Sequence, residues 1–368
     1  MRRVAAPGLS AAVTTRLLWF GLAAATVYVQ LSGGPLFAGI RQTLVNWDAI
    51  SYLQIAAHGY PATLDVRTEY LDAFLPGFPL LIRGASFVVR DEVLAAFVVT
   101  FAGEAIGLWY VYRLVLAERD RGSAVFSVWM IAVLPTAVFF IAPFTEAPFM
   151  AAAAAALYHG RQGRFGPAVV AAAAAAALRL TGLALLPALA FEIGRQRGPR
   201  RVSGVFLLLI IPLPVVLYCA YMGVHTGDAL AFFDAQSTPS FAHSFAPPWD
   251  GFASTWSSMV TALNGEDRSI FAREIAFGLL GLVACLAMWA STRVPRSFAI
   301  YCSIAWLMTA SLSFWRSEPR YFLALFPAVL VVADATARSR AARAVLLTAS
   351  GALMCAGIWV FAGGRWLG

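Results

Sequence analysis

The chain has 368 residues, 60% of them hydrophobic and only 12% charged, with a formal net charge of +8 and a mean hydropathy of +0.74. Apolar runs near the ~20 residues that cross a bilayer recur along it, and no polar block is long enough for a separate globular domain. This excludes a soluble enzyme and predicts an all-α polytopic membrane protein forming one unit over residues 1–368. Nucleic acid is excluded as a partner despite the positive charge, because the chain has no lysine and its arginines punctuate the apolar runs instead of gathering on one surface.

In chain order, hydropathy predicts spans near 15–33, 93–116, 123–142, 147–159, 166–178, 181–193, 202–223, 271–290, 297–314, 321–336 and 344–362. The first apolar run, behind Arg2, Arg3 and Arg16, has some signal-peptide character, but the many later spans favour an uncleaved anchor. With the N-terminus inside, most of the 27 arginines fall in short cytoplasmic segments. These are Arg2, Arg3, Arg16; Arg113, Arg119, Arg121; Arg161, Arg164; Arg195, Arg197, Arg200, Arg201; Arg293, Arg296; and Arg338, Arg340, Arg343, the distribution the positive-inside rule asks for. Most acidic residues fall on the opposite face together with Arg179, Arg316 and Arg320. A multi-pass plasma-membrane protein with its active site on the extracytoplasmic side is expected.

The first outer loop, 34–92, holds the island of charge that organises the chain. It begins near Asn46, and Asp48 follows closely on the first span. Residues 73–89 are apolar enough to resemble a further span, but counting them as one would put every later basic cluster outside. A helix lying in the outer interface keeps the charge rule intact, with Pro76 and Pro79 at its entrance, where no backbone donor is needed. Asp65, Glu69 and Asp72 read as a solvated loop face.

The basic clusters at 161–164 and 195–201 both belong in the cytoplasm, so the segment between them goes out and returns, with Arg179 at the tip of a helical hairpin. Each arm has about 13 residues, or ~20 Å, against a hydrocarbon core of ~30 Å, which sinks Arg179 into a cavity below the outer surface. Glu146, in PFTEAPF, turns the chain in the same way. An ionisable group at that depth costs roughly 2.5–3.5 kcal/mol on insertion scales. Glu146 and Arg179 are therefore expected to pair with each other, with substrate, or with both. Glu104, inside the second span, is expected to be a structural hydrogen-bonding group.

The alanine tracts 151–156 and 171–177 predict close helix packing. Cys219, Cys285, Cys302 and Cys355 lie in apolar runs without ligand-like spacing and read as small buried residues. The second large outer loop, 224–270, is rich in glycine, proline and aromatics and is expected to close over the first. Trp315 and Tyr321 bracket a turn carrying Arg316 and Arg320 and read as interfacial anchors.

A carboxylate and several arginines above a lipid-exposed bundle suit a substrate with an anionic head and an apolar tail, such as a polyprenyl-phosphate sugar. Asp48 can take the proton of an acceptor hydroxyl. Arg179, Arg320 and Arg316 can hold the departing phosphate through charge-assisted hydrogen bonds. Glu146, Tyr52, His58 and Tyr60 are supporting or substrate-contacting candidates. Tyr52, Tyr60 and Trp249 can stack on a sugar, although such rings more often anchor at the interface. His58, His225 and His243 lack metal-ligand spacing, so no cofactor is expected, and a divalent ion held by an acidic pair is left open.

The stretch WDAISYLQIAAHGY at 47–60, followed by AFLPGFPLL at 73–81, resembles the WD…YL.IA..GY and AFFP..P pattern of the GPI mannosyltransferase II (PIG-V-like) family of GT-C glycosyltransferases. FTEAPF with RLTGLALLPAL, GDALAFFDAQ with PPW, and SEPRYFLALFP follow in family order, so the likeness covers most of the chain. The resemblance implies a GT-C-type bundle of about eleven spans that transfers mannose from a polyprenyl-phosphate donor with inversion on the outer face. It places the family's motif aspartate on Asp48 as general base and its second acidic position on Glu146. Its RLTG and SEPRY arginines fall on Arg179 and Arg320, with donor or phosphate binding as their implied role. Ser51 stands where an aromatic is frequent, Leu75 replaces a usual Phe, and 236–248 lacks a Trp-Arg pair before PPW. These departures bear on the acceptor, left open among lipid, glycan and protein hydroxyls.

Two rival readings remain at this point. A transporter or flippase of lipid-linked sugars should show repeated halves with interrupted helices, and no internal repeat is evident. A non-catalytic glycan-assembly subunit would tolerate loss of Asp48.

Overall fold

The computed structural model describes residues 6–30, 43–62, 69–238, 241 and 243–367. Among the described residues there is no strand, and the one β pairing is an isolated bridge between Phe245 and Leu312. Four helices are long and apolar enough to cross a membrane: Glu92–Glu118, Val202–His225, Gly265–Ala290 and Arg340–Ala362. The protein is thus an all-helical membrane protein, as its composition predicts.

Beyond these and the first helix, the predicted spans are shorter or broken, and the breaks follow the sequence. The span expected at 123–142 divides into Arg121–Ala132 and a four-residue helix, Val138–Ile141, on either side of Pro135. Proline removes a backbone donor and pushes its predecessor out of the helical region, so the first helix stops there. The span expected at 321–336 becomes a short helix, Glu318–Tyr321, a 3-10 stretch, Phe322–Ala328, that contains Pro327, and a helix, Val329–Ala335. The hairpin arms are short, as predicted: Phe165–Leu178, then a 3-10 turn, Leu180–Ala184, and Leu185–Gly194.

The first helix runs from Ala6 to Gln30, beginning well before the predicted start at residue 15, while residues 31–33 lie outside the described residues, as do Arg2, Arg3 and Asp65. Arg16 is therefore mid-helix and is no loop charge. It is buried, its Nε donates to Glu104 Oε2 at 3.1 Å, and its Nη2 donates to the Phe140 carbonyl at 3.2 Å. Thr15 Oγ1 donates to the other Glu104 oxygen at 3.0 Å, which gives Glu104 the structural role expected of it. Hydropathy treats an arginine as a segment boundary, whereas a buried carboxylate on a neighbouring helix can accommodate one inside.

Small residues bring these helices into backbone contact. A Cβ added at Gly103 would meet the Pro148 nitrogen at 2.6 Å, and one at Gly182 would meet the Ala175 carbonyl carbon at 2.4 Å. Close packing of the alanine-rich arms follows, with Phe139, Phe140, Phe144 and Phe149 buried beside them. The helix Gly77–Val89 buries Phe78 and Ile82 and turns Leu80, Leu81, Phe87 and Val88 outward, an apolar outer face suited to lipid. At the arginine-rich end, acids join the helix termini: Arg119 Nε donates to Asp334 at 2.6 Å, and Arg161 Nη2 donates to Glu118 at 2.8 Å.

Candidate active site

The site is assembled from two turns far apart in sequence. Helix Asp48–His58 starts directly after Trp47, whose φ of 52° is unusual for a side chain of its size. The Trp47 ring is wedged edge-on against Phe361 and Trp366, with centroids 4.9 and 5.1 Å away, and this fixes the entry of the helix and the position of Asp48. Helix Glu318–Tyr321 starts after Ser317, at φ 68°, where the Glu318 N–H donates to Glu274 Oε2 at 2.7 Å. Two of the three non-glycine residues at positive φ in the described chain thus precede Asp48 and Arg320. Backbone strain of this kind persists where the surroundings over-determine it, and it concentrates at functional sites.

Between these turns lies an alternating chain of charge. Arg179 Nη1 donates to Glu146 Oε1 at 2.5 Å and to Thr145 Oγ1 at 3.4 Å. Arg320 Nε donates to the same Glu146 oxygen at 2.8 Å, and its Nη1 donates to Asp48 Oδ2 at 2.5 Å. Glu146 is buried at the centre, and its Oε2 has no hydrogen-bond partner among the described residues. Asp48 is the open end, with 22% of its side chain exposed against 7% for Arg320. The Arg320 guanidinium sits over the rings of Phe144, Phe139 and Trp366, 4.7, 5.3 and 5.9 Å from their centroids. Such rings attract a cation and keep water away, which strengthens its bonds to both carboxylates.

Asp48, Arg179 and Arg320 line a pocket of about 1100 Å³, which also takes in Tyr52, Arg316 and Tyr321. One part of its wall is apolar, made by Phe232, Phe233, Ile304, Leu307, Met308 and Leu312. The pocket thus joins a charged recess to a greasy flank. Among the described residues, no group of three or more His, Cys, Asp and Glu side chains comes together as a metal site.

The chain matches no family model and no curated protein.

Of the residues singled out from sequence, Asp48, Glu146, Arg179 and Arg320 converge directly. Arg316 and Tyr52 line the same pocket, Arg316 with its guanidinium 5.8 Å from the Phe314 ring centroid and Tyr52 packed edge-on against Phe74 and Phe78. His58 and Tyr60 do not reach the pocket. His58 ends its helix exposed, because it lies nearly three turns beyond Asp48. The Tyr60 hydroxyl donates to the Phe74 carbonyl at 2.6 Å, and its own carbonyl accepts from His225 Nε2 at 2.9 Å. Tyr60 is a latch between the two large loops, with its hydroxyl spent on backbone.

Two loop expectations are also corrected. Trp315 is no interfacial anchor: it is 2% exposed, its Nε1 donates to the Ala310 carbonyl, and it lines the pocket, whereas Trp249 is 70% exposed. Asp72 is no part of a solvated face. It is 1% exposed, and neither carboxylate oxygen has a hydrogen-bond partner among the described residues, because the segment beside it is pinned inward. Tyr218 donates to the Asp72 carbonyl, and Gln236 Nε2 donates to the Ala73 carbonyl. Burial pushes the Asp72 carboxyl up to about 6, with Asp228 adding to the effect and His225 opposing it.

Sequence reasoning gave no role to Trp47, Trp366, Glu274 or Gln236, and weighed His243 only as a metal ligand. Glu274 had a signal, since it is the one acid within the apolar stretch predicted at 271–290. His243 lines the pocket, and its Nδ1 lies 2.7 Å from Gln236 Oε1. Burial, reinforced by the Arg316 and Arg320 guanidiniums, pulls its imidazole down to about 4, so the ring is neutral at physiological pH.

Proposed function

We propose that the protein is an inverting glycosyltransferase that moves a sugar, mannose by its motif resemblance, from a polyprenyl-phosphate donor to a hydroxyl acceptor on the extracytoplasmic face. In this reading the fold is a GT-C-type bundle in which the broken and half-length helices complete a set of about eleven crossings. The observation that carries the reading is the chain Arg179, Glu146, Arg320, Asp48, whose two arginines and Asp48 line a pocket with an apolar flank while Glu146 lies buried behind them. The recess suits a phosphosugar head and the flank suits an isoprenoid tail.

The acceptor oxygen attacks the anomeric carbon from the side opposite the phosphate, and its proton passes to the open carboxylate of Asp48. The bond from the anomeric carbon to the phosphate oxygen breaks, and polyprenyl phosphate leaves with the electron pair. Arg320 holds the Asp48 carboxylate in place through its Nη1, which makes it a positioning group for the base. The resting chain pairs two guanidiniums with two carboxylates and is neutral. Once Asp48 takes the proton, one positive charge is uncompensated, at the moment when the leaving phosphate gains negative charge. Glu146, shared by both arginines, fixes their spacing.

Asp48→Asn tests the assignment. It removes the base but leaves Arg320 its bond to Glu146, so the variant is expected to insert and accumulate normally. Transfer from polyprenyl-phosphate mannose by the purified variant is expected to fall by about 100- to 10,000-fold. Turnover at the parental rate would remove Asp48 from the reaction. A screen of lipid-phosphate sugars against nucleotide sugars tests the donor, and transfer from nucleotide sugars alone would overturn the outer-face mechanism.

A further inference from the structure

His243 lines the same pocket as Asp48 but lies outside the ionic chain. Its protonation pattern is fixed by its neighbours. Gln236 Nε2 donates to the Ala73 carbonyl at 3.0 Å, and a carbonyl can only accept, so the Gln236 amide cannot be turned over. Its oxygen therefore faces the imidazole, 2.7 Å from Nδ1. An amide oxygen also only accepts, so Nδ1 carries the ring proton. In the neutral ring the lone pair is then at Nε2. The main chain holds the arrangement, because the His243 N–H donates to the Gln236 carbonyl at 2.9 Å. Phe241 and Tyr321 flank the ring, with centroids 6.2 and 6.4 Å away, and both line the pocket.

His243 Nε2 is buried and has no hydrogen-bond partner among the described residues. A buried acceptor left unsatisfied is costly and rare in native structures, and one in the wall of a pocket is satisfied when a ligand donates to it. The donating groups of a sugar are its hydroxyls. Protonated carboxylates or ammonium groups would be the alternatives, and Arg316 and Arg320, which lie close enough to depress the imidazole, disfavour a cation there.

We propose that His243 Nε2 accepts a hydrogen bond from a hydroxyl of the bound sugar, with Gln236 as the positioning residue that fixes the ring tautomer through Ala73. The proposal rests on the glycosyltransferase reading for the identity of the ligand. It makes His243 a specificity-determining residue, because a site built to hydrogen-bond a hydroxyl rejects the analogue that lacks it. It also ties specificity to docking of the two outer loops, since Ala73 belongs to the first and Gln236 and His243 to the second.

Purified full-length protein in detergent is compared as parent, His243→Asn and His243→Gln. The Asn amide nitrogen can replace Nδ1 as donor to Gln236 but places nothing at the Nε2 position, whereas Gln can reach it. The probes are polyprenyl-phosphate mannose and its monodeoxy analogues, read both as binding affinity and as turnover. The parent is expected to bind one deoxy analogue about tenfold more weakly than the full sugar. His243→Asn is expected to lose that discrimination and about tenfold in affinity for the full sugar, and His243→Gln to recover part of both. If His243→Asn binds every probe as the parent does, His243 meets no substrate hydroxyl and the proposal is overturned. If the parent binds the probes with the expected discrimination but transfers nothing, the transferase reading fails while the His243 contact stands. If the parent binds none of the probes, both fail.

Discussion

Glu146 holds the site together at the scale of single residues, because one buried oxygen accepts from both Arg179 and Arg320. Removing one partner of a buried ion network leaves uncompensated charge, which costs about 3–5 kcal/mol. Glu146→Gln is accordingly expected to lower thermal stability by that amount in detergent. Asp48→Asn should lower it far less, since Asp48 is partly open to the pocket. Melting curves of the two variants side by side check this, and equal losses would count against a central role for Glu146. Two loop residues give opposite pH dependence. The folded Asp72 carboxyl sits at about 6, above its ordinary 3.8, so the neutral form is favoured and its contribution is lost as pH rises through 6. Asp72→Asn is expected to raise the Tm at pH 7.5 and to give a shrinking gain towards pH 4. For His243, whose folded value lies at about 4 against an ordinary 6.5, the unfolded chain takes up a proton first. Its contribution therefore falls as pH drops from 6.5 to 4, and His243→Asn should flatten that part of the stability profile.

At the scale of elements, the contacts that place the site are backbone on backbone. Gly103 lets helix Glu92–Glu118 lie directly on Pro148, two residues after Glu146, and Gly182 lets the turn of the hairpin touch the arm Phe165–Leu178 just before Arg179. Gly103→Ala and Gly182→Ala are each expected to cost about 1–3 kcal/mol, because the atoms a new Cβ would meet are main chain and cannot rotate aside. Gly166→Ala, where nothing lies within 4 Å, serves as the control and should be tolerated. Melting temperatures of the three variants decide the matter, and a neutral result at Gly103 and Gly182 would show that the helices can slide apart. The broken helices have a related logic. Chain that leaves the helical ladder at Pro135 and around Pro327 exposes backbone groups that bulk lipid could not satisfy, so these segments belong inside the bundle, and Phe139, Phe140, Leu325 and Phe326 are indeed buried.

At the scale of the whole molecule, charge is divided between two ends. One end joins helix termini through Arg119 with Asp334 and Arg161 with Glu118 and Glu192. The other carries the pocket and the two interlocked large loops. The proposed topology places His58 and Arg164, both exposed, on opposite sides of the membrane. Single cysteines at these positions, in a background with Cys219, Cys285, Cys302 and Cys355 changed to serine, are expected to react with an impermeant maleimide from opposite sides of sealed vesicles. Labelling of both from the same side would overturn the assignment of the pocket to the outer face.

The class of molecule was legible before any folding, because class depends on quantities that add along the chain: the share of apolar residues, the length of each run, and the spacing of arginines. The sequence also made Arg179 a hairpin tip in need of a partner, since the shortness of the arms is a local fact, and Glu146 was the acid turned in the same way. Which charges meet was settled by packing. Asp48 and Arg320 are 272 residues apart, and nothing in either segment specifies their contact. Arg16 against Glu104, the inward turn of Asp72, the burial of Trp315 and the tautomer of His243 are decisions of the same kind. Each depends on which helix or loop crosses which. Hydropathy measures how much a segment resists water but carries no record of the polar group that will stand opposite it once the chain is packed.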